Sequence, residues 1–201
     1  MRLTYGRYSS FAAILAICVV GMASVHAEPF VVEDLKRVTD IEKITILPVV
    51  VLAELPDDHE EKLLNLVRKQ LALELALKGY TLKRVSKYSP TKEIAAADVG
   101  AMSLEELASL GPSNATHLMI LFVNTLDGYF IGIADSSDAK LAAVLIEKAT
   151  GDLLWKNEAD RNFTASWFNW GLIGMLIINE DEMAIWSAFK ALFKEFPNRP
   201  M

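Results

Sequence analysis

Apolar residues fall along this chain in two rhythms, and the rhythms divide it into elements. Ile44 to Leu52 (ITILPVVVL) is almost continuously apolar and rich in β-branched residues. That pattern predicts a central strand buried on both faces, ending or bending at Pro48, because proline cannot donate to a ladder. From Asp57 the period changes to that of a helix, with Leu64, Val67, Leu71 and Leu75 on one face. Asp57 and Asp58, each followed three residues later by Glu60 or Glu61, predict its N-terminus, and Gly79 its C′ residue.

A second strand is predicted over Tyr80–Val85. After a Ser-Pro turn and an alanine-rich stretch, Ser103-Leu104-Glu105-Glu106 reads as a capping box opening a short helix that Gly111-Pro112 stops. His117–Leu126 (HLMILFVNTL) is the next buried strand, with Asp127-Gly128 as a turn. Ala139–Glu147 and Asp152–Phe163 then flank Lys148-Ala149-Thr150-Gly151, which predicts a hairpin with Gly151 at a positive φ. Asn179 with Glu182 predicts a cap for a last helix, whose Ile185, Phe189, Leu192 and Phe196 form one stripe.

This order predicts a single mixed α/β domain. A β-α-β-α-β start favours parallel pairing with right-handed crossovers, and a C-terminal β-hairpin and a final helix pack onto the same sheet. Residues 44–201 are assigned to the domain and 28–43 to a polar leading arm.

The first residues follow another logic. Arg2 and Arg7 precede a 13-residue apolar run, Phe11–Ala23, too short for the ~20 residues that cross a bilayer as a helix. Val25 and Ala27 then stand at the −3 and −1 positions of a small-residue cleavage site, so residues 1–27 read as a secretory signal peptide. Cys18, the only cysteine, lies inside the apolar run after Ile17, where a lipid-accepting cysteine would follow a small residue. A mature protein beginning at Glu28 is therefore expected, exported to the periplasm and soluble or outer-membrane associated.

Cleavage there would leave 174 of the 201 residues, and would remove Arg2 and Arg7, leaving 18 basic residues against 26 acidic ones. A formal charge of −8 argues against nucleic acid, which needs a concentrated basic face. With its cysteine gone the domain would have no disulfide, and a chain this long buries enough surface to fold without one.

Several motifs recur together in a known family: Ile-x-Ile-Leu-Pro (Ile44–Pro48), Gly79-Tyr80, Ala115-Thr116-His117-Leu118-Met119-Ile120-Leu121, Thr150-Gly151-Asp152-Leu153-Leu154-Trp155, and Gly171-Leu172-Ile173-Gly174. In them, and over roughly residues 42–196, the chain resembles a family of uncharacterised bacterial envelope lipoproteins. The fold of that family is similar to the N-terminal domain of the Tol-system translocation protein and to the core of the curli-secretion lipoprotein. The resemblance implies a periplasmic or outer-membrane-associated protein that works by contacting other envelope components. It transfers no catalytic residue. Many members carry an N-terminal lipid, from whose pattern Ile17-Cys18 departs.

The residues themselves hold little chemistry. His59 sits among Asp57, Asp58, Glu60 and Glu61, but helix capping accounts for those acids without a metal. His117 begins a strand with no nucleophile motif beside it. Ser89-x-x-Lys92 has the spacing of a penicillin-binding nucleophile, yet proline follows the serine and no Ser-Asp-Asn is present. Asp127, Asp135 and Asp138, placed in a loop, lack calcium-loop spacing. No catalytic residue, cofactor or metal is expected.

Ser166–Ile178 (SWFNWGLIGMLII) stands apart. Its indoles suit a protein or lipid boundary, and its 13 residues are too few to span a membrane as a helix. Trp167, Phe168, Trp170, Leu172 and Ile173 are the expected contacts with an envelope partner, a second copy or a membrane surface; packing into the domain's own core is the alternative. The function expected is a non-enzymatic envelope protein that binds another envelope protein or self-assembles. The other class of reading is a peptidoglycan- or small-molecule-acting periplasmic enzyme using the 89–100 loop.

Overall fold

The apolar run at 44–52 becomes two short strands in the computed structural model, which describes residues 35–53, 60–88, 94–130, 134–166 and 180–200. Strand β1 spans Lys43–Ile46 and β2 Val50–Val51, both parallel to β4, His117–Phe130. The break falls at Leu47–Val49, around Pro48, while the Leu47 amide still donates to the Met119 carbonyl at 3.0 Å. Proline thus bends the run without detaching it from the sheet.

Helix α2, Glu60–Leu77, crosses to β3, Thr81–Arg84, which pairs with β1 in parallel. Its inner stripe is Leu63, Val67, Leu71 and Leu75, each at most 5% exposed. Stepping back four residues from Val67 lands on Leu63, so Leu64 is only partly buried. Gly79 follows at φ +88°, the left-handed C′ conformation that the sequence indicated.

Two further helices, α3 (Ala96–Gly100) and α4 (Leu104–Ser109), lead to β4. The capping box on α4 is complete. The Glu106 amide donates to Ser103 Oγ at 3.3 Å, and the Ser103 amide donates to Glu106 Oε2 at 2.7 Å. The Ser103 amide, and after it the Ser103 hydroxyl, hold the Glu106 carboxyl below its ordinary pKa. The alanine-rich stretch is therefore partly helical, and residues 35–39 of the leading arm form a helix, α1, Leu35–Thr39. Val38 and Ile41, within that arm, are buried in the main core.

Strands β4, β5 (Ala134–Glu147) and β6 (Leu153–Ser166) form a long antiparallel meander. The turn expected at Asp127-Gly128 does not exist. Asp127 pairs with Asp138 and Gly128 with Ser137, and pairing continues to Phe130 and Asp135. A register shift between Val123 and Thr125 lets β4 run on, so cross-strand pairing overrides a local turn signal. Asp127, Asp135 and Asp138 are accordingly strand residues. The other end closes as expected, with Gly151 at φ +77°.

Among the described residues this is one mixed α/β domain. Its six strands run in the order β3-β1-β4-β5-β6 with β2 beside β4, the sheet is not closed, and five helices pack on it. Alternation along β4 explains its continuous apolarity. Met119, Leu121 and Val123 face the core shared with α2 and with the last helix, α5, Glu180–Leu192. Leu118 and Ile120 face the opposite core beneath α3 and α4, with Val99, Leu107, Val144 and Ile146. An aromatic cluster closes the first core: Trp155 stacks on Phe193 at 5.4 Å and meets Phe196 edge-on at 4.7 Å. Tyr80 joins Phe196 at 5.4 Å.

Candidate interaction surface

Helix α2 carries a second apolar stripe besides the one it buries. Leu66, Gln70, Leu73 and Leu77 recur at spacings of four, three and four, which puts them on one side of the helix over about 16 Å. Leu73 is 50% exposed and Leu77 72%. Helix α5 lies alongside and spends Ala184, Ile185, Ala188, Phe189 and Leu192 on the core. Trp186 points away from that core and is 45% exposed, with Lys190 Nζ 4.4 Å from its ring centroid.

Between the two helices runs a groove of about 300 Å³, lined by Leu66, Gln70, Glu182, Met183, Ile185 and Trp186. Lys62 pairs with Glu182 across it at 3.4 Å, and Gln70 donates to Glu74 at 3.0 Å. The floor is apolar, one wall is an indole, and the polar groups sit at the rim. Of the six lining side chains, only Gln70 and Glu182 carry polar head groups outside a ring.

A polar cluster ties the start of the domain to the closed hairpin end. Arg37 donates to Glu147 at 2.8 Å and to Asp152 at 2.9 Å. Its guanidinium, with Thr150, holds the Asp152 carboxyl below the usual carboxylate range. His117 lies opposite Glu147 in the β4–β5 register, with Nδ1 3.1 Å from Thr116 Oγ1. Burial lowers the His117 pKa, against the pull of Glu147. Each carboxylate has a nearby partner, and the cluster acts as a clasp between α1 and the hairpin.

The five residues expected to touch a partner or membrane, Trp167, Phe168, Trp170, Leu172 and Ile173, lie outside the described residues. So do Asp57, Asp58, His59, Ser89 and Lys92. Among the described residues no group of three or more His, Cys, Asp or Glu side chains could hold a metal, and no helix is long and apolar enough to cross a membrane. The groove itself was not anticipated. Its signals were present in the Leu66–Leu77 spacing and in Trp186, an indole on the otherwise polar side of α5.

No family model matches this chain, and no curated protein matches it. Solved structures do. A lipoprotein from Neisseria meningitidis aligns at a TM-score of 0.49 and 19% identity, covering 68% of this chain and 92% of its own. The PelC dodecamer of Paraburkholderia phytofirmans aligns at a TM-score of 0.49 and 16% identity, covering 80% and 90%. A minor lipoprotein from Acinetobacter baumannii aligns at 0.33 and 12%, covering 77% and 91%. The likeness passes no activity, partner or assembly to this chain.

Proposed function

We propose that this chain is an exported envelope protein without catalysis of its own, which works by holding another envelope protein, or a second copy of itself, in the groove between α2 and α5. Export rests on the order of basic, apolar and small residues in the first 27 positions. A periplasmic or outer-membrane-associated location, and the kinship with the Tol-system and curli-secretion folds, belong to the same proposal. The observation that carries it is the apolar groove with Trp186 on its wall and Leu73 and Leu77 continuing its line. Burying an exposed leucine or indole against a partner yields roughly 1.5–3 kcal/mol each, and tryptophan is a favoured anchor of interfaces. Trp167, Phe168, Trp170, Leu172 and Ile173, which precede α5 in the chain, are proposed as further contacts.

The test is photocrosslinking in cells making the full chain, with a photoreactive phenylalanine at position 73 or 186. A discrete adduct lost on changing Leu66→Asp is expected. The proposal is refuted if positions 73 and 186 give no more adduct than the exposed sheet position Lys156.

A further inference from the structure

The connections around β1 leave a crevice at its carboxyl end. The chain runs from β1 through β2, and helix α2 then carries it to β3 across one face of the sheet, while α3 and α4 carry it from β3 to β4 across the other. β1 therefore lies between two neighbours reached over opposite faces. In open sheets of this kind the crevice beyond the strand's carboxyl end, where the connections part, is where ligands bind. Here it is a cavity of about 70 Å³, whose wall includes Leu47, Leu71, Val85, Arg68 and Arg84.

Its two charged wall residues are both arginines, in a chain of net charge −6. Arg84 is the last residue of β3 and falls on the same face as Leu82, the face that α2 covers. Arg68 comes from the third turn of α2. Neither makes an ion pair among the described residues, and Arg68 has only a long 3.4 Å bond to the neutral Asn65 side chain. The wall is fixed rather than loose. The Tyr88 hydroxyl donates to the Val49 carbonyl at 3.2 Å, and the Tyr88 carbonyl accepts from the Gly111 amide at 2.8 Å.

Arg68 and Arg84 line one small cavity. Each presents a planar fork of donors, and two forks suit a tetrahedral oxyanion with several acceptors. The volume admits a group of about two or three waters' size. Leu47 and Leu71 on its wall are apolar and buried, which suits carbon next to that anion. We propose that the crevice at the carboxyl end of β1 binds a phosphate group, free or as the head of a phosphate ester, between Arg68 and Arg84.

The test is an NMR titration of the full chain at near-physiological salt with two probes, inorganic phosphate and a short-chain phosphatidylglycerol kept below micelle formation. Saturable shifts are expected at the Arg68 and Arg84 Nε–Hε signals and the Val85 amide, with a dissociation constant of about 1 mM or tighter for at least one probe. Arg68→Gln and Arg84→Gln should each weaken binding about tenfold or more, and Arg84→Lys should weaken it less, while Lys156→Gln leaves it unchanged. Both arginines are solvent-exposed, and the spectra themselves report whether each variant is folded. Tighter binding of the lipid identifies a headgroup as the source; equal binding identifies free phosphate. Absence of saturable shifts for both probes at about 10 mM, or affinity unchanged in the glutamine variants, overturns the proposal.

Discussion

Replacing Lys148 with methionine tests whether one ammonium group holds the end of α4 to the hairpin. Its Nζ donates to three successive carbonyls, Leu110 at 3.0 Å, Gly111 at 3.0 Å and Pro112 at 3.1 Å. These carbonyls lie just beyond the last turn of α4, where backbone acceptors have lost their helical partners and the dipole is negative. Gly111 turns there at φ +78°, and a Cβ on it would meet Leu47 at 3.0 Å and Leu118 at 3.2 Å. The chain is thus committed to one path beside the core, and Lys148 satisfies the acceptors that this path leaves over. Methionine keeps most of the stem and removes only the donors.

A hydrogen bond to a charged group is worth about 1.5–3 kcal/mol. The three share one proton source, and the carbonyls recover some water once it is gone, so the values do not add. Lys148→Met is expected to cost about 1–3 kcal/mol, which lowers Tm by roughly 2–12 °C for a chain of this size. Lys148→Arg should lie between, because a planar fork cannot direct three donors to one clustered set of carbonyls. Urea and thermal unfolding of the full chain give both numbers, with Lys156→Met as the exposed control. A Lys148→Met variant within about 0.5 kcal/mol of the parent, the range of ordinary surface changes, would refute the reasoning.

Three further outcomes are expected. His117 has a pKa lowered chiefly by burial, so the unfolded chain takes up its proton more readily. Its contribution to stability is present above the ordinary value near 6.5 and lost as pH falls from there through the folded value; unfolding midpoints of His117→Gln should show a flatter decline over that window. Gly79→Ala should cost about 1–2 kcal/mol in urea unfolding, since alanine resists φ +88° and its Cβ would stand 3.4 Å from Arg199 Cβ. Ser137 Oγ is buried with no hydrogen-bond partner among the described residues, so Ser137→Ala should raise stability, by up to about 1–3 kcal/mol; a loss of stability would reveal a partner for that hydroxyl.

Why the fold was legible while the interaction surface was not follows from what burial does to a sequence. A strand covered on both faces must be apolar at every position, which is how Ile44–Leu52 and His117–Leu126 declared themselves. Leu71 and Leu75 declared α2 by the same logic, and Ser103 with Glu106 declared α4 through two bonds between residues three apart. The misplaced turn at Asp127-Gly128 shows the limit of local signals: the pairing that straightens those residues comes from Ser137 and Asp138, about ten positions away. The groove is hidden for a related reason. Leu63, Val67, Leu71 and Leu75 describe one stripe of α2, and Leu66, Leu73 and Leu77 another, with no feature of the leucines telling which is inside. Only the position of the helix on β1 and β3 decides that, by burying Leu71 fully and leaving Leu77 72% exposed. The arginine crevice depends on topology even more strongly. Arg68 and Arg84 are 16 residues apart in the sequence, and they share a cavity because the crossover from β1 returns the chain to β1's own edge. Periodicity reports what a segment hides, whereas a binding surface is defined by what the assembled elements leave uncovered together.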